Sequence, residues 1–133
     1  MSRKKAPSLP SRNGPRLRIL FSEMTALGPG RAELLERIAR TGSISAAARE
    51  MGMSYRRAWL LVEATNAAFV EPLVTTNTGG SRGGGAQLTE FGMNMLARYR
   101  AMELKAAQAL SADFAEFSRY MQPPADIISD ASA

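Results

Sequence analysis

The amino-acid sequence predicts a mainly α-helical fold with a small β component, and three observations indicate this class. In three segments, apolar residues recur at steps of three and four, the spacing of a helix that buries one face. Two shorter stretches, near residues 17–27 and 72–88, are typical of short strands joined by turns. The last periodic segment, from residue 90 to about residue 121, would form a helix of about 45 Å.

The composition excludes several kinds of chemistry. The chain has 133 residues, which suits one domain with a modest core. It contains no cysteine and no histidine, so disulfides, thiolate metal sites and the usual general base are all excluded. No apolar run approaches the roughly 20 residues that would span a bilayer, and no secretory leader is recognisable. We therefore expect a soluble, cytoplasmic protein that is not an enzyme and needs no metal or cofactor.

The net charge of +5 is placed unevenly along the chain. Residues 1–22 contain six basic residues and no acidic one, whereas residues 23–133 contain 11 basic and 12 acidic residues. We expect residues 1–15 to be a disordered tail whose basic side chains attract DNA without specificity. Residues 122–133 are expected to fray, which leaves residues 16–121 as the folded domain. The charged residues of the N-terminal tail are Arg3, Lys4, Lys5 and Arg12.

The first elements predicted are a hairpin and a helix. Alternating apolar residues at Leu17, Ile19 and Phe21 predict a strand, which would pair with residues 25–27. The sequence "GPG" at 28–30 then interrupts the chain before a helix that Gly42 would terminate. The apolar residues with helical spacing in this helix are Leu34, Leu35 and Ile38.

The segment "TGSISAAAREMGMSYRRAW", residues 41–59, predicts two short helices joined by a turn. Ser43 and Ser54 are suited to cap the two helices, and the second would run to about residue 69. Gly52 supplies the left-handed backbone that the turn needs, with Met51 and Met53 as apolar contacts on either side. Small residues in the first helix allow the two helices to cross closely, namely Ala47 and Ala48.

The second helix of this pair has one buried and one exposed side. The predicted buried stripe consists of Ala58, Leu61, Val62 and Thr65. Arg56 and Leu60 lie opposite it, and Arg57 lies on its flank. Two arginines in the first turn oppose the helix dipole, a cost that a bound phosphate would relieve. We interpret this turn as the part that enters the DNA major groove. The alternative is a solvated face without a role.

The candidate residues of this helix are Ser54, Tyr55, Arg56, Arg57 and Leu60. We expect Trp59 to belong to the core, because it lies at the boundary of the buried stripe. For Tyr55, core and contact stay equally open.

The glycine-rich segment "TTNTGGSRGGGAQ" resembles a phosphate-binding loop only superficially. It lacks the Gly-Lys-Ser/Thr sequence that leads into a helix, and the order of elements does not suit a dinucleotide site. A hairpin between two strands fits better, since such a wing reaches along the DNA and Arg82 suits a narrow minor groove. A mobile loop without a ligand is the alternative. The candidate wing residues are Gly79, Gly80, Ser81, Arg82, Gly83 and Gly84.

The long C-terminal helix predicts a partner. A domain of about 100 residues has a radius of gyration near 13 Å, too small to cover a stripe of this length. Either the helix breaks near Ser111 or a second chain packs on it, and we favour a two-fold dimer, with a possible break as well. Two recognition helices one duplex turn apart would then bind a palindromic operator. The candidate interface residues are Met95, Tyr99, Met102, Ala106 and Leu110.

Two motifs in this order resemble the ModE family of bacterial molybdate-responsive transcription regulators. They are "ARTGSISAAAREMGMSYRRAW" and "TGGSRGGGAQLTEFG", and the similarity covers about residues 30–106. LysR-type regulators share the first motif but not the second. The resemblance implies a winged helix-turn-helix that dimerises through its first and last helical segments and binds an operator. Ser54 to Arg57 would open the recognition helix, and Gly79 to Gly85 would form the wing.

Full-length ModE proteins carry C-terminal molybdate-binding domains, for which this chain holds no corresponding residues. We expect a stand-alone form that does not bind molybdate by itself. The resemblance implies a homodimeric regulator of molybdenum-related genes, more specifically a repressor. The alternative is an interaction or scaffold module of the same fold that does not bind DNA specifically.

Overall fold

The computed structural model describes residues 14–77 and 85–122, and within them two antiparallel hairpins accompany five helices. The predicted class, mainly α with a small β component, is confirmed. The elements are β1 (Ile19–Phe21), β2 (Met24–Leu27), α1 (Pro29–Thr41), α2 (Ile44–Glu50), α3 (Tyr55–Ala67), β3 (Val74–Asn77), β4 (Gly85–Leu88), α4 (Glu90–Ala109) and α5 (Ser111–Ser118).

The N-terminal hairpin forms where the alternating pattern predicts it. Strands β1 and β2 are antiparallel, and their register pairs Phe21 with Met24 and Ile19 with Leu27. The register shifts between Ile19 and Leu20. Ser22 in the turn has φ 59°, the left-handed region that a tight connection needs. The predicted pairing of residues 25–27 with the first strand is confirmed.

Both ends of the first helical junction are set by capping groups. Pro29 lies at the start of α1. A backbone N–H at this position would have no partner within the helix, so the missing N–H of proline costs no hydrogen bond. Gly42 ends the helix with φ 73°, and its N–H donates to the Ile38 carbonyl at 2.8 Å. Ser43 caps α2, because its Oγ accepts from the Ala46 N–H at 2.9 Å. The chain therefore changes direction at Gly42 and Ser43, and α2 packs against α1.

The core lies between α1, α2, α3 and the β3–β4 hairpin. The predicted apolar face of α1 is fully buried there, as are the small residues at the helix crossings. Leu73 is buried as well, and its carbonyl accepts from the Thr89 N–H at 2.9 Å. A Cβ added at Gly92, in the first turn of α4, would lie 2.2 Å from the same carbonyl oxygen of Leu73. The start of α4 therefore packs against the backbone that precedes β3.

The long C-terminal helix is broken, as one of the two alternatives predicts. Helix α4 ends at Ala109, and α5 begins at Ser111 after Leu110, whose backbone (φ −99°, ψ 6°) is not helical. The break lies within one residue of the predicted position. Helix α5 buries no residue against the rest of the described chain.

The predicted dimer contact at Tyr99 is wrong. Tyr99 is only 1% exposed, and its hydroxyl donates to the Leu17 carbonyl. Burial is the main cause of the raised pKa of this phenol. The N-terminal segment covers this part of α4, so the apolar stripe is filled from within the chain. Met95 is also partly buried against the core, whereas Met102 and Leu110 stay exposed.

Helices α1 and α4 are joined by an ionic network around Arg100. Its guanidinium donates to Glu36 on α1 at 2.6 Å and to Glu103 on its own helix at 2.5 Å. Hydrogen bonds to Glu36 and Glu103 raise the pKa of Arg100 against the effect of burial. Glu103 is itself buried, so the network fixes α4 against the helix that supports the helix-turn-helix.

Candidate nucleic-acid interface

The predicted two-helix unit is present as α2, a short turn and α3. Gly52 has φ 70° in the turn, and the Met53 N–H donates to the Ala48 carbonyl at 3.0 Å. Ala47, Ala48 and Ala58 are all buried, so the helices cross at a point without bulky side chains. This geometry holds α3 against the other helices by one face only.

The buried face of α3 is the predicted one. Ala58, Val62 and Thr65 are buried, and Leu61 is partly buried beside them. The Thr65 hydroxyl donates to the Leu61 carbonyl at 2.7 Å, which satisfies it inside the core. The opposite face is therefore left for solvent or a ligand.

All five candidate residues of α3 are exposed, and we call them together the α3 surface; four of them, all but Tyr55, line one groove. The α3 surface occupies the first two turns of the helix and consists of Ser54, Tyr55, Arg56, Arg57 and Leu60. The Ser54 Oγ accepts from the Arg57 N–H at 3.1 Å, so the N-terminus is capped as predicted. Whether these side chains contact DNA stays a prediction.

Four arginines in the described ranges form salt bridges, namely Arg37, Arg40, Arg100 and Arg119, whereas Arg56 and Arg57 form none. Arg37 pairs with Glu33 at 2.6 Å and with Glu50 at 2.8 Å, and Arg100 is held in the α1–α4 network. Within residues 14–77 and 85–122, neither Arg56 nor Arg57 has an acidic partner within 4.0 Å. Two uncompensated guanidinium groups beside the positive end of a helix dipole make this turn a favourable position for an anion.

The predicted core position of Trp59 is wrong. The indole is 39% exposed, because no other described element covers the quarter turn beside the buried stripe. Tyr55, one turn earlier, is also exposed, which excludes the core position, while its contact with DNA stays a prediction. Two large aromatic side chains, Tyr55 and Trp59, are therefore exposed one turn apart on one side of α3.

The stem of the predicted wing is present, and its tip lies outside the described residues. Strands β3 and β4 pair antiparallel from Val74–Leu88 to Asn77–Gly85. The Ala86 N–H donates to the Gly42 carbonyl at 3.0 Å, which holds the stem beside the end of α1. Gly79, Gly80, Ser81, Arg82, Gly83 and Gly84 lie outside the described ranges, as do Arg3, Lys4, Lys5 and Arg12. Their contact with DNA stays a prediction.

Asn66 is a positioning residue that the sequence analysis does not identify. Its Oδ1 accepts from the N–H groups of Leu73 and Val74 at 2.8 and 3.2 Å, and its Nδ2 donates to the Val74 carbonyl at 3.0 Å. The side chain therefore joins the end of α3 to the start of β3. A single amide side chain in the last helical turn is a weak signal, since asparagine is common at helix ends for local reasons.

The described ranges contain no group of three or more acidic, histidine or cysteine side chains that could hold a metal ion. No described helix is long and apolar enough to cross a membrane.

Comparison with known proteins finds sequences similar to this region. Residues 30–93 match the model of the bacterial regulatory helix-turn-helix proteins of the lysR family. The chain is 51% identical over 85 residues to the molybdenum-pterin-binding protein MopB of Rhodobacter capsulatus, covering 64% of this chain and 32% of the relative. It is 45% identical over 86 residues to the molybdenum transport protein ModE of Azotobacter vinelandii, covering 65% and 32%.

A third relative is the DNA-binding transcriptional dual regulator ModE of Escherichia coli K12, 40% identical over 88 residues, or 64% of this chain and 34% of the relative. The chain thus spans about a third of the length of these relatives. The predicted resemblance to the ModE family is confirmed over the helix-turn-helix region. The matched family is one of regulatory proteins, not of enzymes.

Proposed function

We propose that this chain, which carries a bacterial regulatory helix-turn-helix domain related to those of the ModE proteins, is a transcription regulator that binds duplex DNA sequence-specifically. The observation that carries the proposal is the α3 surface, where Arg56 and Arg57 face solvent without acidic partners in the described ranges. The first turn of α3 enters the major groove, and the β3–β4 wing lies along the neighbouring backbone. Such a regulator works in the bacterial cytoplasm, where its DNA is.

We propose further that the protein acts as a homodimer on a palindromic operator. Support comes from exposed apolar side chains on the C-terminal helices, which no described part of the same chain covers. Met102 on α4 and Leu110 after its end are exposed, while Ala106 is partly buried beside the N-terminal segment. A partner helix would bury them and bring two copies of α3 to the same side of the duplex.

The target genes are proposed from the relatives. Their names refer to molybdenum transport and to molybdenum-pterin binding, so we propose that this chain regulates molybdenum-related genes, as a repressor. The proposal requires no cofactor, and we assign no molybdate site to this chain by itself.

The test is selection of bound sequences from a random duplex pool, followed by affinity measurements on the enriched site. We expect enrichment of a palindrome. Replacing Arg56 or Arg57 with alanine should then cost about 1–3 kcal/mol of binding free energy if the residue contacts a base. Arg98→Ala is the matched control, because Arg98 is exposed on α4 and bonds only to Asn94 in the described ranges.

Equal losses on specific and random duplexes would reassign the arginine to a phosphate. Retention of DNA without an enriched motif would contradict sequence-specific binding.

The second candidate is an interaction module that does not bind DNA specifically. The observation in its favour is α5, an amphipathic helix that buries nothing in the described chain. Charge reversal distinguishes the two candidates. Arg56→Glu, Arg57→Glu and Arg82→Glu together should abolish duplex binding by a regulator, whereas an interaction module would keep its partner.

A further inference from the structure

We propose that Leu60 determines part of the operator sequence by contacting the 5-methyl group of a thymine, next to a guanine that Arg56 contacts. This inference rests on the proposed function, because it names bases that the α3 surface recognises. In the major groove, thymine is the base that presents a methyl group, and apolar side chains are the groups that recognise it.

Leu60 lies where such a contact is possible. It is 48% exposed and lies on the side of α3 opposite Ala58 and Val62, which are buried. It therefore takes no part in the core. It follows Arg56 by four residues, so the two side chains share a face about 6 Å apart along the helix axis.

A groove on the α3 surface provides the space for the methyl group. It has a volume of about 310 Å³, and it is lined by Ser54, Arg56, Arg57, Leu60 and Leu61. Its lining is largely apolar, and both the two leucines and the two arginines contribute to it. A methyl group that enters this groove leaves water for an apolar contact, and the adjacent guanidinium groups reach base edges or phosphates.

Glu63 limits how far along α3 the base contacts extend. It is exposed at the position three residues after Leu60, and within the described ranges it has no basic partner within 4.0 Å. An unpaired carboxylate is repelled by the phosphates that border the groove. Base contacts are therefore confined to the first two turns of α3, and Leu60 is the last side chain of that part to face the bases.

This geometry predicts a relation between two bases in each half-site. Successive base pairs are about 3.4 Å apart, so side chains about 6 Å apart reach bases one or two steps from each other. Each half-site should contain a guanine and, one or two base pairs away, a thymine whose methyl group is required.

The test replaces single thymines of the selected operator with uracil, which removes the methyl group and keeps every hydrogen-bonding group. Wild-type protein should bind about fourfold more weakly per substituted half-site at one thymine position, the effect of losing one buried methyl-sized group. Leu60→Ala should bind the thymine and uracil duplexes equally. Val70→Ala, an exposed apolar residue beyond the end of α3, is the matched control and should keep the wild-type difference.

Because Leu60 is exposed, Leu60→Ala should unfold at the wild-type temperature, which circular dichroism would check. If every thymine tolerates uracil in the wild type, or if Leu60→Ala keeps the thymine preference, the assignment of Leu60 is overturned while the proposed function stands. If wild-type protein binds no duplex above the level of random DNA, both are overturned.

Discussion

At the scale of single residues, Gly92 is the glycine, among those whose surroundings the structure describes, where an added Cβ would meet the closest neighbouring atom. An alanine Cβ would lie 2.2 Å from the Leu73 carbonyl oxygen and 2.9 Å from Leu88 Cδ2. The obstruction is backbone, so α4 must shift. We expect Gly92→Ala to lower the free energy of unfolding by about 1–3 kcal/mol or more.

The matched control for this prediction is Gly30→Ala in the first turn of α1, where no atom lies within 4 Å of the new Cβ. There the loss of glycine's flexibility should stabilise the helix by about 0.5–1 kcal/mol. Urea unfolding of the two variants and the wild type measures both effects. Equal stabilities for the two variants would contradict the packing assigned to Gly92.

Residue patterns predict burial well where an element has one neighbour, and less well where it has several. The stripe of α3 is predicted correctly because Ala58, Val62 and Thr65 face a single core. Trp59 and Tyr99 are mispredicted for opposite reasons. Trp59 is apolar but no described element covers it, whereas Tyr99 is covered by a segment that lies 82 residues earlier in the chain. Helical spacing carries no information about such distant contacts.

At the scale of elements, the sequence does not predict which part of the structure covers the last 30 or so residues of the domain. The structure shows this for the first half of α4, which contacts the N-terminal segment and α1. Phe117 on α5 is 65% exposed, and Tyr120, just after the end of α5, is 80% exposed. The proposed dimer assigns this uncovered part to a second copy.

Placing charges on this uncovered part should therefore separate the protomers. We expect Leu110→Glu combined with Phe117→Glu to weaken self-association by about 100-fold or more, since a buried, unpaired carboxylate costs several kcal/mol. Light scattering after size-exclusion chromatography measures the mass. Val70→Glu is the control, because Val70 is exposed but lies outside the C-terminal helices. A double variant that stays dimeric would place the interface elsewhere.

The strands and caps show why the elements themselves are predictable. The starts of α1 to α4 carry a local signal, either Pro29 or a capping hydroxyl, and each signal acts over three or four residues, whereas α5 begins without a side-chain cap. The role of Asn66 is not predicted, because its hydrogen bonds join α3 to β3 and no neighbouring residue in the sequence indicates them. The break at Leu110 is predicted only from the length of the C-terminal helix compared with the size of the domain.

At the scale of the whole molecule, the proposed function requires that two recognition helices have a fixed separation. A dimer whose α3 helices lie one duplex turn apart binds half-sites about 10 base pairs apart, centre to centre. Inserting about five base pairs between the half-sites turns one of them to the far side of the DNA. We expect affinity to fall to that of an isolated half-site.

Fluorescence anisotropy on duplexes with about 0, 5 and 10 inserted base pairs measures this dependence. Deleting the same number of base pairs outside the half-sites is the control for duplex length. Affinity that does not change with the insertion would contradict the fixed two-fold arrangement, while leaving the contacts of each α3 surface unaffected.

The division of α3 into two faces has a consequence for how such regulators diversify. The side chains that pack against α2 and the core are a different set from those that face outward over the first two turns, and Asn66 joins β3 from the far end of the helix. Under the proposed function, mutations at positions 55, 56, 57 and 60 would leave the fold stable while altering the preferred operator. New binding specificities would then be accessible in single steps, so duplicated copies of the gene could acquire separate regulons without losing stability on the way.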